Sequence, residues 1–283
     1  IKKAIKEHSD VCSFENKYRD VFSGFDEYLY DELIEKMTAL NISKAEANLS
    51  ANIFERLKDI PLVDKYEAYQ LLDDDWTKIA VDLEIIQTEG FEATKRVDPN
   101  MVIKKKDGKE QEVQEGWVGR IIPFDLIQDT LLADDRAALK TKENRLSEIA
   151  SEYEELFDSL TEEEKEGDYA GEDGFVNAEI KKALKSDSVE PETKEKLRKV
   201  AALATEEKEL KAAIKKDAGL LEGKTKETIE SLSDEQVIDL LKDKWITPLI
   251  QSLMKLPDSI VNELVSKLEA LTKKYETTFA EVE

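Results

Sequence analysis

Leu146-Ser-Glu-Ile149-Ala-Ser-Glu-Tyr153-Glu-Glu-Leu156-Phe-Asp-Ser-Leu160 is the stretch on which the fold turns. Its apolar residues alternate at spacings of three and four, which on a helix draws one narrow stripe of the coiled-coil kind. The stripe extends upstream through Leu139 and Leu132. With Leu132 at heptad position a, Asp135 and Lys142 fall at d, so the early heptads are imperfect. Pro123 can occupy the first turn of this long helix. Downstream, the acidic, glycine-bearing run Thr161–Gly174 reads as a loop and Phe175–Lys185 as a short helix. A second long helix is expected from about Pro191 to Asp217, with Leu197, Val200, Leu203, Leu210 and Ile214 on one face, Glu207 interrupting it, and Gly219 and Gly223 ending it. Two such stripes bury each other most simply as an antiparallel helical arm over residues 123–218.

Outward from the arm, residues 1–122 read as a helical region. Helices are expected over Ile1–Ser13, Phe14–Tyr30 and Asp31–Leu57, interrupted at Gly24 and Asn41–Ser43, with Pro61 closing the section. Leu62, Tyr66, Tyr69, Leu72, Trp76 and Ile79 mark an amphipathic helix. A small β-hairpin is expected near 101–118: Val102 and Ile103 precede Lys104–Lys106, Asp107-Gly108 suits a type I′ turn, and Val113 and Trp117 follow. The lysines read as protection of a strand edge rather than as a DNA contact. Residues 224–283 read as a C-terminal helical bundle. There Ser233-Asp-Glu-Gln236 forms a capping box with Leu232 and Val237 as its staple. Thr247-Pro248 looks like a helix start, and Leu256-Pro257-Asp258 like a break and a new cap. The final helix carries Val261, Leu264, Leu268, Leu271 and Tyr275 on one stripe, with Glu263, Lys267, Glu269 and Lys273 outside it. A single helix cannot bury such a stripe by itself. Its cover is either the Val237–Leu253 region of the same chain or a partner. The fold class expected is mainly α: a helical domain with a long antiparallel coiled-coil-like arm and a small hairpin.

Composition narrows the function. Charged residues make up 38% of the 283 and the net charge is −23. A surface this acidic repels phosphate backbones, which disfavours direct DNA binding by most of it. One cysteine, Cys12, and one histidine, His8, allow no disulfide framework and no Cys/His zinc site, and fit a reducing cytoplasm. No apolar run reaches the ~18 residues of a membrane span, and no signal peptide is visible. The chain opens at Ile1 in a lysine-rich stretch that already reads as helix, the pattern expected of a piece excised from a longer protein.

Chemistry-bearing motifs are few. Ala218-Gly-Leu-Leu-Glu-Gly-Lys-Thr225 fits a permissive phosphate-loop pattern, which would suit a nucleotide hydrolase. A phosphate cradle needs a buried strand before it, whereas the preceding Lys208–Lys216 segment is charged helix. The stretch therefore reads as a helix end and a linker. With 65 acidic residues, a nuclease-like Asp…Glu-x-Lys set such as one using Glu222-Gly-Lys224 is expected by chance. His8 reads as a solvated helix residue, and Trp76, Trp117 and Trp245 as core rather than base-stacking groups.

Two stretches resemble a known family. Pro61-Leu-Val-Asp-Lys-Tyr-Glu-Ala-Tyr-Gln-Leu-Leu72, followed by Trp76, is similar to a segment that lies beyond the catalytic core in M (modification) subunits of type I restriction–modification systems. From Thr228 onward, Lys244-Trp245-Ile246, Leu256-Pro257 and Lys274-Tyr275-Glu276 resemble the helices that end those subunits. Gly119-Arg-Ile-Ile-Pro123 before a long acidic helix is similar too. The resemblance implies a non-catalytic C-terminal region of a DNA adenine methyltransferase subunit in the prokaryotic cytoplasm. The implied partners are the specificity (S) subunit, a second M subunit and the restriction subunit, with DNA reached through the complex. Val261, Leu264, Leu268, Leu271 and Tyr275 would then dock on S and help shape the clamp around DNA. Amino-methyl transfer needs a glycine-rich turn for S-adenosylmethionine and an Asn/Asp-Pro-Pro-aromatic loop for the flipped adenine. The six prolines include no adjacent pair and the ten glycines no Gly-x-Gly. No catalytic, cofactor or metal residue is therefore assigned to this chain, and S-adenosylmethionine is expected only in a methyltransferase core outside it. A freestanding acidic coiled-coil adaptor is the alternative.

Overall fold

The computed structural model describes residues 2–106, 109–172 and 174–280. It is mainly helical, with long helices and a small antiparallel hairpin. In chain order the elements are α1 (Lys2–Lys6), α2 (Ser9–Val21), α3 (Phe25–Tyr30), a π turn (Asp31–Glu35), α4 (Ile42–Arg56), α5 (Lys65–Glu89), β1 (Val97–Lys106) and β2 (Lys109–Gly119). Next come α6 (Phe124–Thr130), α7 (Ala133–Asp158), α8 (Glu162–Lys165), β3 (Ala170–Gly171), β4 (Gly174–Phe175), α9 (Asn177–Ala183) and α10 (Pro191–Glu230). The chain closes with α11 (Asp234–Leu241), a second π turn (Lys242–Ile246) and α12 (Thr247–Ala280). These fall into two compact units. One comprises Ile1–Asp98, Val118–Pro123 and Ile229–Glu283; the other comprises Pro99–Trp117 and Phe124–Thr228.

In the first unit, local chemistry sets the helix ends. Gly24 sits at φ 69°, a left-handed conformation that separates α2 from α3. Asn41 caps α4 by accepting from the Lys44 amide, and Asp64 caps α5 by accepting from the Tyr66 amide. Helix α5 buries Ala68, Leu72, Trp76, Ile79, Leu83 and Ile86, and it packs on α4 and α12. Its apolar face therefore starts later than the sequence suggests. Tyr66 is exposed, and Leu62 lies before the helix at φ 76° with its side chain in solvent. The Ser233–Gln236 capping box forms as expected, flanked by buried Leu232 and Val237.

Two expected breaks in this unit are absent. Lys242–Ile246 continues α11 as a π turn straight into α12, so Thr247 is helical and caps nothing. Pro257 lies inside α12. Proline has no N–H, so the Leu253 carbonyl one turn earlier loses its helical donor. The buried Tyr18 hydroxyl of α2 donates to that carbonyl at 2.8 Å instead. A tertiary hydrogen bond thus fills the gap that the proline leaves, and the helix runs on.

In the second unit, α7 and α10 form the expected antiparallel arm. Three contacts climb one helix while descending the other: Asp135 with Lys224, Lys142 with Asp217, and Tyr153 with Glu207; Arg145 also reaches across to Glu206. The imperfect d positions Asp135 and Lys142 thus hold cross-helix ion pairs, and Glu207 accepts from Tyr153 rather than interrupting a stripe. Ile149, Leu197, Val200 and Leu203 are buried, whereas Leu146, Tyr153 and Leu156 are half-buried. One cluster joins Leu160, Tyr169, Ile180, Ala183, Leu197 and Val200, with Tyr153, Leu156 and Phe157 against it.

Three sequence expectations fail in this unit. The helix after Pro123 is broken at Leu131-Leu132, where Arg136 ties α7 back to Asp125, Gln128 and Asp129 of α6. The Thr161–Gly174 run is not plain loop: it holds α8, opened by a Thr161/Glu164 capping box, and one strand of the β3–β4 pair. Helix α10 does not stop near Asp217 but continues through Gly219 and Gly223 to Glu230. Each interior glycine costs ~1 kcal/mol relative to alanine. Burial of Leu221 and Thr225 on the same helix opposes that cost. The hairpin strands form as expected, with the Lys104–Glu115 ion pair between them. Its expected turn, Asp107-Gly108, lies outside the described residues.

Candidate partner-binding surface

The candidate surface grows from the rooted half of α12. This half packs on α1, α2, α3 and α5, and Lys6 meets Asp258 at 3.3 Å. Leu249, Leu253, Leu256, Val261 and Val265 are buried. The other predicted residues differ from Val261. Leu264, Leu268, Leu271 and Tyr275 are 44%, 37%, 49% and 56% exposed, an unusual set on one stripe. The helix supports itself there through the Lys267–Glu263 pair at 2.6 Å, and that hydrogen bond holds the Glu263 carboxyl below its ordinary value. The intramolecular cover considered from sequence is not available. Val237–Leu253 belongs to the same continuous helical run as the stripe and cannot fold back over it.

The Lys244-Trp245 pair anchors this run. Trp245 is buried, and its indole N–H donates to Asp82 Oδ2 at 2.8 Å. Lys244 Nζ donates to the same oxygen and to the Ile121 carbonyl. Consecutive side chains diverge by about 100° on an ordinary helix; the wider π turn is where these two converge on one carboxylate. Asp82 is itself 6% exposed and the Lys244 side chain 21%, so this is a largely buried charge pair. Sequence reasoning missed Asp82, because nothing in a chain with 65 acidic residues sets this one apart.

The phosphate-loop look-alike is neither loop nor linker. It lies within α10, where each polar group has a structural partner. Glu222 accepts the Trp117 amide at 2.9 Å, and Lys226 lies 3.5 Å from the Trp117 ring centroid. Lys224 pairs with Asp135, and Thr225 bonds the Leu221 carbonyl and Gln128. Gly116 permits the Glu222 contact: its φ is 71°, and a Cβ there would stand 2.1 Å from Glu222 Oε1. Trp76 and Trp245 are core residues as expected, whereas Trp117 is half-buried under Lys226. His8 caps α2, its Nδ1 accepting from the Asp10 amide at 3.3 Å.

Among the described residues no cluster of His, Cys, Asp or Glu is arranged to hold a metal ion, and no helix is long and apolar enough to cross a membrane. No family model, curated protein or solved structure matches the chain.

Proposed function

We propose that this chain is the C-terminal assembly region of a type I restriction–modification M subunit, docking on the specificity subunit through the outer half of α12. The observation that carries the reading is the stripe itself. Four apolar side chains stand in solvent on a helix whose root is fixed by the Asp82–Lys244–Trp245 network and the Tyr18–Leu253 bond. An apolar stripe of this kind is covered when a second helix packs along it, and the helical spacer of S is the occupant proposed. The resemblance of the Pro61–Leu72 and Lys244–Ile246 segments to M subunits supports the same reading. Methyl transfer would belong to a core outside this chain, and the DNA sequence choice to S.

The test is co-purification with the specificity subunit of the Leu264→Glu/Leu268→Glu double variant. Both side chains are exposed, so circular dichroism and the melting temperature should stay near wild type while the complex is lost. Retained complex would refute the docking surface. A parent reading frame with an Asn-Pro-Pro-aromatic motif upstream of Ile1 would support the family assignment separately, and its absence would favour the freestanding adaptor.

A further inference from the structure

The second unit contains a cavity of about 700 Å³ between the end of α7 and the short β3–β4 pair. That volume is in the range of small-ligand sites. Its lining has two chemistries. Tyr153, Phe157 and Phe175 are half-buried aromatics, the two phenylalanines packed edge to face with centroids 5.3 Å apart. Glu154 and Asp158 are exposed carboxylates on the same wall. Neither carboxylate has a hydrogen-bond or ion-pair partner among the described residues, whereas Asp135, Asp217 and Glu206 of the arm pair across the helices. Glu154 and Asp158 are also spaced i,i+4 on one helix, where like charges repel. The repulsion has no internal compensation.

We propose that this cavity is a docking site for the arginine side chain of a partner polypeptide. Charge complementarity argues for a cation: two unpaired carboxylates line the cavity, and aromatic rings that line it with them attract positive charge at their faces. Lys165 shows that attraction already, with its Nζ 5.6 Å from the Phe157 centroid while it pairs with Glu162. Arginine fits better than lysine, because its flat, weakly hydrated guanidinium stacks on rings while its N–H fork donates to two carboxylates at once. A nucleic-acid occupant is disfavoured, since its phosphates would meet the same two negative charges. The cavity belongs to the second unit and the α12 stripe to the first, so either proposal can fail without the other.

The probe is N-acetyl-L-arginine amide, titrated into the 283-residue chain carrying labelled phenylalanine, with the neutral isostere N-acetyl-L-citrulline amide as control. The Phe157 and Phe175 signals should shift saturably with arginine amide, at a dissociation constant on the order of 1 mM for so small a ligand. Citrulline amide should bind at least about tenfold more weakly. The Glu154→Gln/Asp158→Asn variant should lose the response while melting no lower than wild type, because removing a like-charge pair does not weaken the helix. Absence of a saturable shift, equal binding of citrulline amide, or an unchanged response in the variant would each overturn the proposal.

Discussion

Tyr18→Phe removes a single oxygen atom, yet the consequence is tied to a residue 239 positions away. The Tyr18 hydroxyl donates at 2.8 Å to the Leu253 carbonyl, the acceptor left without a helical partner by Pro257. Tyr18 is fully buried, and burial, with Glu67 adding to it, pushes its hydroxyl well above the ordinary tyrosine range, so it remains a donor. The phenylalanine ring keeps the contact with Phe22, whose centroid lies 5.0 Å away. The loss is therefore confined to one buried acceptor without a donor, which costs ~1–3 kcal/mol. The decisive comparison is a double-mutant cycle with Pro257→Ala. Alanine restores an N–H that can reach the Leu253 carbonyl, so Tyr18→Phe in that background should cost at least ~1 kcal/mol less. Urea denaturation of the four proteins, followed by circular dichroism and tryptophan fluorescence, measures the coupling. Equal costs in the two backgrounds would show that the hydroxyl does not replace the missing amide.

Two further perturbations follow from buried charge. Asp82→Ala leaves the part-buried Lys244 and the buried Trp245 N–H without their carboxylate, so stability in the same denaturation assay should fall by ~2–3 kcal/mol; a loss below ~1 kcal/mol would mean that solvent replaces the carboxylate. At Glu164, burial favours the neutral acid, but hydrogen bonds from Thr193, Lys196 and the Thr161 amide outweigh it and hold the carboxyl at about 2 against an ordinary 4.5. Because the folded-state value is depressed, this contribution is fully present above pH ~4.5 and is lost as pH falls towards ~2. Glu164→Gln should flatten the slope of stability against pH in that window, and an unchanged slope would remove Glu164 from the acid response.

What could be read from the sequence was mostly local. The Ser233–Gln236 capping box, the interruption at Gly24 and the three–four alternation from Leu146 to Leu160 depend on neighbours within a turn or two, and all appear in the structure. Three of the misread positions share a different cause. Gly219, Gly223 and Pro257 are helix-weakening residues by propensity, but contacts made by distant residues keep the helices intact. Tyr18 completes the bonding at Leu253, and Glu222 and Lys226 of the glycine-bearing stretch engage Trp117. Propensity sees none of these contacts. The five-residue stripe was legible as a helix face. Which of its members face the core was not, since that depends on where the packing of α1, α2, α3 and α5 against α12 ends. The Phe157–Phe175 cavity left no sequence signal, because its walls lie on separate elements.

The arm's polar pairs have a consequence for how the two helices find each other. Asp135 faces Lys224, and one heptad along Lys142 faces Asp217, so the order of charges is reversed between the pairs. Slide one helix by seven residues in one direction and Asp135 comes opposite Asp217. Slide it the other way and Lys142 comes opposite Lys224. In both mistaken alignments one attraction becomes a repulsion and the other pair is parted, while the apolar stripe alone would accept the slip with little complaint. The two ion pairs thus work as a key: leucines and valines supply adhesion, and two lysines and two aspartates favour the native alignment over either seven-residue slip.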